Sequence, residues 1–176
     1  MDAAHFVWGT SLVAGLWCIV RMFVRTSSGR KRYNVLGAYH AMTQKLLTVV
    51  NESYINSASV CEMLRLLRRS HWGESITLVL ENAGYQRCYL VREYAVLLDI
   101  NLVFLPSYSP NLNLIERLWK FVKKQSLNNC YYDTFDAFKS GIDGCLKNID
   151  KEHKTQVASL MTLRFQTFKN DQITAG

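Results

Sequence analysis

Three acidic residues stand where their carboxylates could act together. Asp2 opens an apolar stretch at the start of the chain, Glu81 follows the apolar run 76–80, and Glu116 lies inside a long amphipathic segment. Carboxylates gathered at one place repel each other unless a divalent cation lies between them, and oxygen-only ligands favour Mg²⁺ or Mn²⁺. Two such ions about 4 Å apart activate a water or a hydroxyl group in phosphodiester chemistry.

Each of these acids also has a simpler explanation. Acidic residues are common at strand and helix ends, where they are solvated or accept hydrogen bonds from the backbone. Glu116 shares a helix face with Lys120 and then Lys124 at i+4 spacing, so a Glu–Lys pair would account for it. Glu81 is harder to explain in this way, because a carboxylate that ends a buried strand costs free energy unless it is paired.

The elements that must position these acids form an α/β pattern. The apolar run 76–81 lacks alternation, which is typical of a parallel strand buried on both faces. Strand–helix–strand order implies a right-handed crossover, and an antiparallel start followed by alternating elements predicts a mixed sheet flanked by helices. We predict strands over Ala3–Val7, Gly15–Val24, Tyr33–Tyr39, Lys45–Asn51, Ile76–Glu81 and Asn101–Leu105, the first two as a hairpin, and helices over Asn56–Ser70, Tyr85–Leu98, Leu112–Leu127, Phe135–Ile149 and Lys154–Phe165.

The charge balance points to a polyanionic partner. The net charge is +7 and the isoelectric point is near 9.2, which fits nucleic acid, an anionic membrane, or a soluble protein that is merely basic. The apolar stretch Ala3–Val20 is almost long enough to span a bilayer, and basic residues follow it. His5, Gly9 and the preceding Asp2 argue against a membrane anchor. Five scattered cysteines without a Cys-x-x-Cys pair indicate reduced thiols in a cytosolic protein.

One long motif carries a family resemblance. The segment from Leu105 to Lys124 reads Leu-Pro-Ser-Tyr-Ser-Pro-Asn-Leu-Asn-Leu-Ile-Glu-Arg-Leu-Trp-Lys-Phe-Val-Lys-Lys. It resembles the signature of bacterial insertion-sequence transposases related to mariner elements, the insertion-sequence 630 group of DDE superfamily endonucleases. The stretches 2–7, 29–38 and 78–83 are similar to the same family, and the likeness extends to about Phe168.

The resemblance implies a ribonuclease H-like fold and a metal-dependent catalytic domain that cleaves DNA strands and transfers them during transposition. Its three metal-binding acids fall on Asp2, Glu81 and Glu116, with two Mg²⁺ or Mn²⁺ ions as cofactors. Thirty-four residues separate the last two acids, which is the spacing of this group. The resemblance also places Asn82 and Asn113 near the acids, where they would orient water or the scissile phosphate; turn and cap chemistry is the alternative.

This sequence departs from the family at two points. The position of Glu81 is normally aspartate, and glutamate is longer by one methylene, roughly 1.3–1.5 Å. A misplacement of about 1 Å can cost a hundredfold in rate. Family members also have further strand residues before the first aspartate and, before those, a helix-turn-helix domain. We therefore expect a catalytic domain over residues 1–150 that is truncated at its first strand, a helical extension over 151–176, and no helix-turn-helix domain.

DNA is the expected partner, both element ends and target DNA, in the bacterial cytoplasm at the nucleoid. A separate helix-turn-helix polypeptide and a second copy of the chain are further expected partners, and a membrane is not. The residues expected to contact phosphates without sequence specificity, unless they are only a solvated face, are Arg30, Lys31, Arg32, Arg117, Lys120, Lys123 and Lys124. His5 is expected on the opposite strand face from Asp2, and Trp119 in the core. The rival functions are a catalytically inactive remnant that still binds DNA and a nuclease acting on RNA–DNA hybrids.

Overall fold

The computed structural model describes residues 1–9, 31–106, 113–128 and 130–161. Within these ranges, the elements follow in the order β1 (Asp2–Val7), β2 (Arg32–Tyr39), β3 (Leu46–Asn51), α1 (Ser57–Ser70), β4 (Ile76–Leu80), α2 (Gly84–Arg87), α3 (Tyr89–Leu97), β5 (Ile100–Phe104), α4 (Leu114–Leu127), α5 (Phe135–Asn148) and α6 (Lys154–Leu160). The predicted strand Gly15–Val24, Arg30, and the predicted helix start at Leu112 lie outside the described residues.

The strands form an antiparallel part and a parallel part. In the first, β1 pairs with β2 and β2 with β3, so that Asp2 lies opposite Gly37 and Val7 opposite Arg32. In the second, β4 and β5 run parallel, as the strand–helix–strand order predicts. The two parts meet where the backbone nitrogen of Met1 donates a hydrogen bond to the carbonyl oxygen of Val79 at 2.6 Å.

Helices pack on both faces of the strands. One buried cluster lies between the sheet and helices α1 and α3, and a second lies between β1, β2 and helices α4, α5 and α6. Strand β2 contributes alternately to both clusters, Leu36 to the first and Val35 to the second. The side of β1 that carries Asp2, Ala4 and Phe6 therefore faces α4.

The prediction that β4 is buried on both faces is wrong. Leu78 and Leu80 are buried against α1 and α3, but Thr77 is exposed and Val79 is 42% exposed. The strand alternates in burial because the described helices cover only one face of it. An unbroken apolar run cannot reveal this, since valine occupies the open face as readily as the closed one.

The predicted helix Tyr85–Leu98 is in fact two helices. The backbone of Cys88 is extended, with φ −62° and ψ 157°, and it separates α2 from α3. In one continuous helix, residues five positions apart point about 140° away from each other. The break allows Gln86 and Val91, both fully buried, to face the interior.

Candidate active site

Strands β1 and β4 place the first two acids side by side. Asp2 is the first residue of β1 and is only 9% exposed, on the face that α4 covers. Glu81 directly follows the last residue of β4. Because the hydrogen bond from Met1 holds Val79 beside the start of β1, Glu81 lies at the Asp2 end of that strand.

Helix α4 supplies the third acid, and a side-chain amide fixes where the helix begins. Asn113 caps α4, its Oδ1 accepting from the backbone N–H of Ile115 at 3.3 Å. Its Nδ2 donates to Oε1 of Glu81 at 2.7 Å. One buried asparagine thus joins the end of β4 to the first turn of α4, where Glu116 stands. The Asn113 amide therefore caps the helix through its oxygen and contacts an acid through its nitrogen.

The three carboxylates form one electrostatic group. Burial, followed by the charge of Glu81, raises the pKa of Asp2 to about 7; Glu116 adds to the rise, and the hydrogen bond from the Ala3 N–H opposes it. Burial also raises the pKa of Glu116, again reinforced by the charge of Glu81 and by a hydrogen bond between the two glutamate side chains. Lys120 opposes that rise. The structure therefore brings together all three acids that the sequence singles out.

The donor set suits a hard divalent cation. Beside burial, the charge of Glu81 raises the pKa of both Asp2 and Glu116, and a divalent cation held between the carboxylates would offset that repulsion. All the donors are carboxylate oxygens, which Mg²⁺ and Mn²⁺ prefer. Within the described ranges, no three acidic, histidine or cysteine side chains are yet arranged around one point closely enough to hold an ion. Binding would require the three carboxylates to turn toward one point.

Tyr85 also lies beside the acids and is not among the site residues predicted from the sequence. Burial raises its pKa, and the charges of Asp2 and then Glu81 raise it further. The available signal was its position four residues after Glu81, in the helix that follows the strand end. Asn82, which the sequence analysis did select, is half-buried next to Glu81.

The predicted DNA-contacting residues fall into two places. Lys120, Lys123 and Lys124 are exposed along α4, and the Lys123 ammonium sits 5.8 Å from the centre of the Phe6 ring. Arg117 is half-buried and donates to the carbonyl oxygen of Leu160 at 3.1 Å, which ties α4 to α6.

Lys31 and Arg32 lie at the other end of the first strand pair. Arg32 pairs with Val7, five residues along β1 from Asp2, which is a separation of roughly 17 Å. The Lys31 ammonium lies 5.4 Å from the centre of the Phe135 ring at the start of α5. Lys123, over Phe6, lies near this same end of β1, whereas Lys120 is one turn from Glu116, so the basic side chains extend from the acids toward Arg32.

Two further expectations are confirmed. Trp119 is buried in the cluster beneath α4, at 4% exposure. His5 faces away from Asp2, is exposed, and shares a 2.6 Å hydrogen bond with Oδ1 of Asn34. Among the described residues there is no helix of sufficient length and apolarity to cross a membrane, and the suspected apolar stretch begins as strand β1.

Sequence comparison matches this chain to a known family and to one curated protein of unknown role. The profile of the DDE superfamily endonuclease family matches residues 20–139, a range that includes Glu81 and Glu116. The uncharacterized protein y4pE/y4sA of Sinorhizobium fredii is 31% identical over 84 residues, which are 47% of this chain and 60% of that protein.

Solved structures share the fold. The Mos1 transposase paired-end complex with left transposon end superposes with a TM-score of 0.62 at 14% identity, over 94% of this chain and 55% of that one. The Mos1 catalytic domain with raltegravir and Mg gives 0.53 at 13% identity, over 93% and 85%. The catalytic core domain of BIV integrase gives 0.51 at 13% identity, over 70% and 77%. The expected ribonuclease H-like fold is confirmed, and this chain spans about half the length of the intact Mos1 chain.

Proposed function

We propose, from the premise that the chain belongs to the DDE superfamily endonucleases, that it is the catalytic domain of a transposase. It would cleave DNA strands at the ends of a mobile element and join them to target DNA. The observation that carries this proposal is the meeting of Asp2, Glu81 and Glu116, which come from three different parts of the fold; burial, and then the charge of Glu81, raises the pKa of both Asp2 and Glu116.

The proposed roles follow from how each acid is held. Asp2, Glu81 and Glu116 would together hold two Mg²⁺ or Mn²⁺ ions, which when bound would activate a water or 3′-hydroxyl group and stabilise the leaving oxygen. Asp2 is fixed by the strand pairing of β1, and Glu81 is oriented by Asn113. Asn82 would contact the attacking water or the scissile phosphate.

DNA is the proposed partner. The exposed amines of Lys120, Lys123 and Lys124 run along α4 away from Glu116, where they would neutralise phosphates on one side of the cleaved bond. Lys31 and Arg32, at the far end of β1 from Asp2, would contact the same DNA, and Arg30 is proposed as a further phosphate contact. The Mos1 complex contains a transposon end, which supports this class of ligand for the shared fold.

The element group, the domain bounds and the further partners are also proposals. The motif Leu105–Lys124 supports the insertion-sequence 630 group of bacterial elements. Residues 1–150 would form the catalytic domain and residues 151–176 an extension, of which α6 packs on α4 through Val157. A helix-turn-helix polypeptide and a second copy of the chain would complete the active assembly on DNA.

Metal-dependent nicking tests the proposal. A supercoiled plasmid that carries the element ends would be incubated with the chain and Mn²⁺, and nicked product measured on a gel. We expect nicking by the wild type or by Glu81→Asp, and none by Glu116→Gln or Asp2→Asn. Absence of Mn²⁺-dependent nicking by both the wild type and Glu81→Asp would remove the catalytic proposal.

A non-catalytic DNA-binding remnant is the second candidate. It is favoured by the engagement of Glu81 with Asn113 and by glutamate at a position where aspartate is usual. Titration calorimetry with Mn²⁺ separates the two candidates, because a catalytic site should bind Mn²⁺ and lose that binding in Glu116→Ala. A remnant should bind DNA and show no Mn²⁺ binding that depends on Glu116.

A further inference from the structure

Gly37 is the strand partner of Asp2, and helix α4 lies directly on it. Gly37 pairs with Asp2 across β1 and β2, so both residues belong to the sheet face that α4 covers. A Cβ placed on Gly37 would lie 2.6 Å from Cζ2 and 2.7 Å from Cη2 of Trp119, and 3.2 Å from Cδ1 of Ile115. Any side chain at this position would overlap the indole ring.

The ring cannot move aside freely. Trp119 is 4% exposed and is packed among buried neighbours that include Val35, Leu118 and Val122. Ordinary carbon–carbon contact begins near 3.5 Å, so relieving the overlap requires a displacement of about 1 Å. Because the core around the ring is close-packed, much of that displacement must be taken up by α4 itself.

Glu116 would move with the helix. It precedes Trp119 by three residues, which places the two side chains on neighbouring positions of the same helix surface. Ile115, the second residue in contact with Gly37, is adjacent to Glu116 in sequence. A shift of α4 away from β2 therefore carries the Glu116 carboxylate away from Asp2 and Glu81.

We infer that Gly37 is a positioning residue: its missing side chain sets how closely α4 approaches β1 and β2, and so holds Glu116 within reach of the other two acids. The catalytic consequence rests on the proposed function, whereas the packing of Trp119 on Gly37 does not. A displacement of about 1 Å at a catalytic group can lower the rate a hundredfold.

The chain offers two matched control glycines. A Cβ on Gly141 of α5 would lie 2.5 Å from Oη of Tyr132, so Gly141→Ala creates a comparable overlap that involves none of the three acids. A Cβ on Gly144, in the same helix, would meet nothing within 4 Å. Gly141→Ala thus controls for general loss of stability, and Gly144→Ala for the alanine substitution itself.

The experiment compares these variants in the full chain by Mn²⁺ calorimetry, plasmid nicking and urea unfolding. We expect Gly37→Ala to weaken Mn²⁺ binding at least tenfold and nicking about a hundredfold. Gly141→Ala should unfold at lower urea concentration and yet bind Mn²⁺ within about twofold of the wild type. Gly144→Ala should match the wild type in Mn²⁺ binding. Wild-type Mn²⁺ affinity in folded Gly37→Ala, or equal losses of affinity in Gly37→Ala and Gly141→Ala, would overturn the inference.

A packing readout keeps this test separate from the proposed function. Trp119→Phe removes both ring atoms that overlap the added Cβ. The urea midpoint of the Gly37→Ala/Trp119→Phe double variant should be no lower than that of Trp119→Phe alone. If the double variant loses as much stability as the two single variants together, the inference is overturned, even if the wild type binds no metal. The stability losses of Gly37→Ala and Trp119→Phe could prove non-additive while the wild type neither binds Mn²⁺ nor nicks DNA. That result would reject the catalytic proposal and leave the packing role of Gly37 standing.

Discussion

The side-chain amide of Asn113 donates to the Glu81 carboxylate at 2.7 Å while its oxygen caps helix α4. Replacing Asn113 by alanine should remove both contacts, and we expect a loss of about 1–2 kcal/mol in the free energy of unfolding. Asn113→Ser should restore the cap without reaching Glu81, and should therefore fall between the wild type and Asn113→Ala in urea unfolding. Equal stability of the serine and alanine variants would contradict the role of Asn113 as a cap.

Asp2 should make stability depend on pH when divalent cations are absent. Its pKa is raised from 3.8 to about 7, so the folded state binds this proton more tightly than the unfolded state. The resulting stability is fully present below about pH 4 and is lost as pH rises through 7. The Met1 ammonium, whose pKa burial lowers to about 6, acts in the opposite direction over the same pH range, so the contribution of Asp2 is read from a substitution. With EDTA present, Asp2→Asn should raise the melting temperature more at pH 8 than at pH 5.5.

Mn²⁺ should reverse the loss of stability at pH 8. A ligand that binds only the folded state at 100 times its dissociation constant adds about 2.7 kcal/mol. We expect added Mn²⁺ to raise the wild-type melting temperature at pH 8 and to leave Glu116→Ala unchanged. An identical rise in both proteins would mean that Mn²⁺ binds elsewhere.

Shortening Glu81 tests whether its length limits catalysis. Glu81→Asp restores the residue usual in the family, and we expect nicking to rise by about ten- to a hundredfold, since misplacement by 1 Å has effects of that size. Glu116→Asp introduces the same shortening at the third acid and should lower nicking. If Glu81→Asp nicks more slowly than the wild type, the longer side chain is instead matched to this site.

The lysines of α4 should contribute to DNA binding through charge. Lys120 and Lys124 are exposed on α4, whereas Arg65 and Arg69 are exposed on α1, against the other core cluster. Removing two phosphate contacts reduces the slope of log K against log salt concentration by about 2, where K is the association constant for DNA. We expect this change for the Lys120→Ala/Lys124→Ala variant and not for Arg65→Ala/Arg69→Ala, measured by fluorescence anisotropy over a range of salt concentrations. The same loss in both variants would indicate non-specific attraction by the net charge.

Local patterns predicted most elements but not how they pack. Apolar spacing placed α1 and α4 close to their observed bounds, although α4 begins two residues later than predicted, after its cap Asn113. The break at Cys88 had no such signal, because no proline lies near it and the burial of both Gln86 and Val91 is visible only in the folded chain.

Contacts between distant residues were likewise hidden from the sequence. Arg68 lies outside the apolar positions of α1 in the sequence, yet its guanidinium donates to the carbonyl oxygens of Leu98 and Asp99 at the end of α3. The three acids were found through a motif, whereas the Asn113–Glu81 bond and the contact of Trp119 with Gly37 join segments that local periodicity treats separately.

The hydrogen bond from Met1 to Val79 joins the antiparallel and parallel parts of the sheet beside the proposed site. Asp2 belongs to one part and Glu81 follows the other, so any relative motion of the two parts changes the distance between these carboxylates. A ligand held by both acids would couple the two parts and slow amide hydrogen exchange along β1 and β4 together. In this chain, ligand binding at the proposed site and the stability of the contact between the two parts of the sheet would then be thermodynamically linked.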